Sequence, residues 1–399
     1  MSRVVRHSKG RRVRIGFVAL IDAAPIIAAF ELGYFADEEL DVVLSREVGW
    51  ANVRDKLAFH RLDASHALIG HPIRAALGVG YVGGPIRSVM ALGAGGDAIT
   101  LSQRLAWAGA TTPPLLKRFI RQSRDASPLV FAHVFESSVH HYLLREWLWG
   151  GEIDPDRDVR LCVLPPPQLG AHMADRQIDG FCAGEPWNSL SQAQGFGHVA
   201  ALTTDIVPAH PDKVLAVNQK FAAQEPQTVE SIIRAIIRGS QFCADPANLS
   251  PLAEMLSESR YLGIARKSVE ASLELDRTFD PSTGQHHSRS ADSKMRSFDA
   301  TFPSLTHAAW MLSQMVRWGH VPPTVDPWAI AEQCTGTALY RAAARKVSVS
   351  CPSTDSPSMR LSGGVVFGPA RIHVDSQDRP IPSTAPARKR SASEQLTVE

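Results

Sequence analysis

The stretch Asp179-Gly-Phe-Cys-Ala-Gly184-Glu185-Pro-Trp187-Asn188 decides how this chain folds. It reads as a short strand that stops at a glycine and runs into a Glu-Pro turn. A glycine at that point leaves a backbone N–H open to a small guest. The proline stiffens the exit and bars helical geometry at the residue before it. Main chain then forms one wall of a pocket.

The neighbouring segments supply the rest of such a lobe. Leu129–Ala132 reads as a strand, Val139–Trp149 as a helix stopped by Gly150-Gly151, and Val159–Val163 as a further strand. Pro165-Pro-Pro-Gln168 leads into a helix to about Arg176, and Gly180–Ala183 is the strand of the opening segment. Nearer the start, Ile15–Leu20 reads as a strand, and Asp22-Ala-Ala-Pro25 opens a helix that runs to Gly33. Asp22 is the expected N-cap, with Pro25 in the first turn. Asp41–Leu44, a helix over Asn52–His60 and the strand Ala64–Ile69 complete a βαβαβ alternation. That order predicts a parallel sheet with helices on its faces. The chain is expected to cross into the second lobe around Asp97–Thr100. Residues 200–345 read as mainly helical. Val229, Ile232, Ile233, Ile236 and Ile237 fall at helical spacing, as do Ala308, Met311, Leu312, Met315 and Trp318. Beyond Lys346, Ser, Pro, Arg and Gly dominate, which predicts a disordered tail over 346–399.

With 399 residues, 44% hydrophobic and 21% charged, the chain has ample material for two or three domains. A net charge of +2 leaves no nucleic-acid footprint at whole-chain level. The cysteines Cys162, Cys182, Cys243, Cys334 and Cys351 are odd in number and lack metal-ligand spacing, so reduced thiols are expected. No apolar run reaches the length of a membrane span. Residues 1–14 carry six basic side chains and no acid, and an apolar run follows. That pattern superficially resembles a secretory signal. The run is short, ends at Asp22 and Pro25, and has no small-residue cleavage site or lipidation cysteine after it. It is read as the first buried strand, with 1–14 a solvated arm and a cytoplasmic location.

Three side chains stand out. Trp50 follows a strand and precedes Ala-Asn-Val-Arg54-Asp55-Lys56. It is either a wedge packed between lobes or an indole N–H aimed at a ligand oxygen. His140 sits in the first turn of a helix, where unsatisfied N–H groups favour anions. It is either an idle surface histidine or a further donor. His141 points to another face, so the two form no metal pair. Lys213, in His210-Pro-Asp-Lys213-Val-Leu, is either a solvated turn lysine or a point charge delivered to a small anion. No nucleophile elbow, phosphate loop, dinucleotide fingerprint or H-E-x-x-H motif occurs, and no catalytic set is evident. Gly93-Ala-Gly95-Gly96 reads as a tight loop at a strand end.

Several motifs occur together and in order. They are Trp50-Ala-Asn-Val-Arg-Asp-Lys, Phe135 to Arg145 with its histidine, Pro165-Pro-Pro-Gln168 and Phe181-Cys-Ala-Gly-Glu-Pro-Trp-Asn188. His210-Pro-Asp-Lys213, Thr301-Phe-Pro-Ser and Ser313-Gln-Met-Val-Arg-Trp-Gly319 follow. This series resembles the NrtA/CmpA/NasS family of nitrate-, nitrite- and bicarbonate-binding proteins, over about residues 12–340. The resemblance implies an α/β type II periplasmic-binding-protein fold with a ligand cleft between two lobes. Residues 15–98 plus 205–345 would form lobe 1, and 99–204 lobe 2. It nominates Trp50, His140, Gly184 and Lys213 as ligand-binding residues, with the Gly184 N–H as a main-chain donor. Where nitrate binders often carry an amide, this chain has Asp97, a carboxylate that repels an anion unless it is turned away, protonated or paired. No cofactor and no catalysis are implied. A cysteine-rich enzyme relative of the same fold class is disfavoured because Cys182 stands alone. The family's signal-less branch, NasS, implies a cytoplasmic nitrate/nitrite sensor with a NasT-like RNA-binding antiterminator as partner. It implies no direct nucleic-acid contact by the sensor. The alternative implied is an extracytoplasmic binding component working with an ABC permease.

Overall fold

The computed structural model describes residues 12–79, 83–123, 127–208, 210–274, 277–280, 285–288, 296–361 and 365–369. Two five-stranded sheets organise the chain. The first contains β1 (Arg12–Val18), β2 (Asp41–Glu47), β3 (Ala64–Leu68) and β4 (Ile86–Ala91). The bridge strand β5 (Ala94–Gly95) then leads to β6 (Asp97–Ser102), the first strand of the second sheet. That sheet continues with β7 (Val130–His133), β8 (Arg160–Val163), β9 (Gly180–Gly184) and β10 (Gly197–Leu202). Strand β11 (Lys213–Asn218) returns to the first sheet. The orders are β2-β1-β3-β11-β4 and β10-β6-β9-β7-β8. The chain thus crosses between sheets twice, once before Asp97 and once before Lys213.

The expected parallel pairing holds for β1 with β2 and with β3. It fails at β11, which runs antiparallel to both β3 and β4. The reason is topological. A strand returning from the other lobe re-enters from the cleft end, opposite to strands fed by a crossover helix.

Alternation and burial explain the elements. In β1, Val13, Ile15, Phe17 and Val18 are all buried. Val13 and Ile15 join a core with Val89, Leu215 and Val217, covered by the helix Pro226–Ala244. That helix starts on a proline, whose fixed φ and missing N–H suit a first turn. Its Val229, Ile232, Ile233, Ile236 and Ile237 form the buried stripe, each worth about 1.5–3 kcal/mol on burial. Ile99, Leu101, Phe131, Leu144 and Leu148 form the core of the second lobe. A further cluster runs across the cleft and joins Leu20, Trp50 and Leu68 to Ala132, Phe181 and Ala183.

Three expectations need correction. Strand β1 begins at Arg12, where Arg12 Nε meets Asp41 Oδ2 at 3.0 Å, so Arg12 and Arg14 belong to the sheet and not to an arm. Residues 1–11 lie outside the described residues. Asp22 does not cap a helix. It lies in a single 3-10 turn, Ile21–Ala23, and the helix Ala24–Glu31 follows with no side-chain cap. At 4% exposure its carboxylate needs a cation more than a backbone N–H, and it turns to Lys213. Nor does order end at Lys346. Met359–Arg360 pairs with Val366–Phe367, and Met359 and Phe367 pack into the shared core. The remainder of the expected tail lies outside the described residues.

The lobes touch closely at Gly70, which opens the helix Gly70–Leu77. A Cβ there would lie 1.8 Å from the Ser137 carbonyl oxygen of the second lobe. Gly70→Ala is therefore expected to wedge the lobes apart and raise the radius of gyration in small-angle scattering. An unchanged scattering profile would show that this close approach does not hold the lobes together.

Candidate functional site

Each residue nominated in the cleft sits at the end of an element. Trp50 is the first residue of the helix Trp50–Ala58, and His140 is the second of Val139–Gly150. Asp97 starts β6, Lys213 starts β11 and Gly184 ends β9. Asp97 and Gly184 are directly paired across β6 and β9. Element ends project into the space between two sheets, so short side chains can meet there without distorting either sheet.

The structure brings these groups together. His140 Nε2 lies 2.9 Å from Asp97 Oδ1, and both residues are fully buried. Lys213 Nζ lies 3.1 Å from Asp22 Oδ2 and 3.5 Å from Asp97 Oδ1, and it is also ion-paired with Asp212. The same ammonium is 5.8 Å from the centre of the Trp50 ring, within cation–π range. A Cβ on Gly184 would lie 2.9 Å from Asp22 Oδ2 and 3.2 Å from Asp97 Oδ1. Glycine is thus needed for carboxylates and strand end to approach this closely. The Trp50 indole N–H and His140 Nδ1 are buried with no hydrogen-bond partner among the described residues. A buried donor left bare is costly, which is a reason to look for a ligand.

Asp97 is paired, and that answers the difficulty its carboxylate raised. Burial pushes its carboxyl up, but His140, hydrogen-bonded to it, and the Lys213 ammonium outweigh this and hold it well below the usual carboxylate range. Burial drives the His140 imidazole down, with Asp97 working against that shift. The resting pair is an aspartate accepting from a neutral imidazole. Glu185 next door is raised by burial, and its Oε2 accepts from the Ser189 N–H at 3.2 Å.

Sequence reasoning missed three members. Asp22 had been read as a cap. Asp212 lies in the quoted lysine motif but was not singled out. Arg296 carried no signal at all. It arrives because Arg296–Ser297 pairs with β5, which sets its Nε 3.3 Å from Asp22 Oδ1 and its Nη2 3.0 Å from the Gly96 carbonyl. Asp97, His140 and Asp212 also have the spacing of a metal site among the described residues. The Lys213 ammonium lies among these same groups and pairs with both carboxylates, so it already fills the cation's place. Chemically the arrangement is a buried cluster in which an ammonium, a guanidinium and an imidazole meet three carboxylates, with the Trp50 indole beside them. Cys182 is buried and its thiol is pushed well up by that burial.

Comparison with known proteins places this geometry. Residues 6–257 match the model of the NMT1-like family. The chain is 32% identical over 374 residues to the nitrate/nitrite binding protein NrtA of Synechococcus elongatus, covering 90% of this chain and 83% of that protein. It is 34% identical over 351 residues to the bicarbonate transport ATP-binding protein CmpC of the same organism, covering 87% of this chain but only 51% of the relative. The chain thus spans about half the length of that relative. Among solved structures, the periplasmic nitrate-binding protein NrtA from Synechocystis superposes with a TM-score of 0.83 at 24% identity, over 90% of this chain and 96% of that one.

Proposed function

The chain belongs to the NMT1-like family, and on that premise we propose that it binds nitrate or nitrite in the cleft between its two lobes. One observation carries the reading: Trp50, Asp97, His140, Gly184 and Lys213, drawn from both lobes, converge on one buried cluster. Nitrate is planar, singly charged and weakly basic. It needs several convergent donors, which the indole N–H, the Gly184 main chain and the ammonium supply. The anion favours the closed arrangement only by its differential affinity for it. Roughly 5.5 kcal/mol moves a population from 1:99 to 99:1. Two or three charge-assisted hydrogen bonds of about 1.5–3 kcal/mol each are of that order. Titration calorimetry with nitrate, nitrite and bicarbonate tests this directly. Absence of heat with all three anions would refute it.

Trp50→Phe keeps an aromatic ring, though a smaller one, and removes the N–H. It is expected to weaken nitrate at least tenfold, about 1.4 kcal/mol. Unchanged affinity would return Trp50 to a packing role.

We further propose that the closed cleft is read out by a partner, in a cytoplasmic sensor that controls a NasT-like RNA-binding antiterminator. The support is the ordered motif series from Trp50 to Gly319, which resembles the family that includes such sensors. If the antiterminator grips only the open form, closure expels it, and the coupling is reciprocal. Nitrate should then dissociate the co-purified complex. A second reading is the binding component of an ABC importer, favoured by relatives named for transport or import. Capture of a permease, with no nitrate-sensitive antiterminator complex, would establish that reading instead.

A further inference from the structure

The cleft is overstocked with negative charge. Asp22, Asp97 and Asp212 are all buried, at 4%, 0% and 2% exposure. Against these three carboxylates stand two permanent cations, Lys213 and Arg296. With His140 neutral, the empty site has one negative charge in excess. An entering monoanion would double that excess among side chains this deeply buried, where charge is expensive.

His140 is the group that can correct it. Its Nε2 lies 2.9 Å from Asp97 Oδ1 and 3.5 Å from Lys213 Nζ. The shorter contact decides the tautomer, so Nε2–H donates to Asp97. Nδ1 is then the bare acceptor, buried and without a partner among the described residues. A proton there makes an imidazolium between Asp97 and the ligand. The groups that face this ring come from several elements. Asp97 from β6, Asp212 at 3.8 Å beside β11 and Asp22 from the 3-10 turn favour the charged ring. Lys213 opposes it, and His133 and His210 are neighbouring histidines.

Resting on oxyanion binding at this site, we propose that the cleft takes up one proton with each oxyanion, that the proton settles on His140, and that Asp97 is the residue that makes it obligatory. The ligand is then an anion plus a proton drawn from solvent. Asp97 sets the specificity for that pair where an amide would accept the anion alone. In the empty site, burial holds His140 below its ordinary value, and an adjacent anion raises it. The sign follows: the bound state holds more protons, so affinity falls as pH rises past the lowered free-site value of His140, by about tenfold per unit until the bound-state imidazole loses its proton.

The experiment is calorimetry of the full chain with sodium nitrate at pH 7.5, in buffers of different ionisation enthalpy. About one proton taken up per nitrate is expected. In Asp97→Asn the uptake should vanish and nitrate at pH 8 should bind at least tenfold tighter than in the parent. His140→Gln should also lose the uptake, and the near-isosteric Asp97→Asn serves where that variant does not fold. Parent protein that binds nitrate with equal heats in all buffers overturns the proton coupling and leaves anion binding intact. No nitrate heat at any pH removes the anion reading and this inference with it.

Discussion

Lys213→Met is expected to lower nitrate affinity at least a hundredfold and to destabilise the protein by about 3–5 kcal/mol. The size comes from what the ammonium touches. It is 3% exposed and pairs with Asp22, Asp97 and Asp212 together. Methionine fills similar volume but leaves those carboxylates facing one another, with only Arg296 on Asp22 and His140 on Asp97. Breaking a buried pair by removing one partner costs far more than the pair itself contributes, because the remaining charge stays buried. Two measurements separate the effects. Calorimetry reports affinity, and denaturant midpoints report stability. Adding Asp212→Asn to Lys213→Met should restore part of the stability, since one stranded charge is removed, but none of the affinity. A Lys213→Met protein with parental affinity would exclude the lysine from the binding site.

The second large effect is acid destabilisation. His71 and His133 are both almost fully buried, and burial pulls each imidazole down to about 3. In the unfolded chain they titrate near 6.5. The unfolded state therefore binds more protons below 6.5, and stability present above that pH is lost as pH falls towards 3. At pH 5 each contributes a loss of about 2 kcal/mol, from roughly 1.5 units at 1.36 kcal/mol per unit. Together they cost on the order of 4 kcal/mol. His66 and His141 shift the same way for the same reason. Urea unfolding at pH 7 and pH 5 should show a midpoint clearly lower in acid. Asp97 pushes stability in the same direction, but its loss starts only as pH falls through the unfolded carboxylate value of about 3.9, so losses it could cause lie below the window from pH 6.5 to 4.5. A midpoint that did not move over that window would mean these rings are already charged in the folded state.

Much of the architecture could be read along the chain, and the reason is local. Strand and helix identity follows from periodicity, and Val229 to Ile237 or Ile15 to Val18 each declare a buried face within a few residues. Trp50, His140, Gly184 and Lys213 are nominated by the resemblance of the ordered motifs, and each lies within two residues of a glycine, proline or serine at an element boundary. The antiparallel return of β11 was not legible. It depends on which lobe the preceding crossing leaves from, and no residue in β11 records that.

The charge balance of the cleft was legible least of all. Asp22 looked like a helix cap because a cap and a buried counter-ion share the same residue type and the same position before a helix. Arg296 reaches Asp22 and Gly96 only through a two-residue pairing with β5 across the whole first lobe. Pattern along the chain dictated the two α/β lobes and the types of donor available to the cleft. Which carboxylates would share one ammonium was left to the folded arrangement, because pairing energy depends on distance and burial, and both come into being only when segments hundreds of residues apart close on each other.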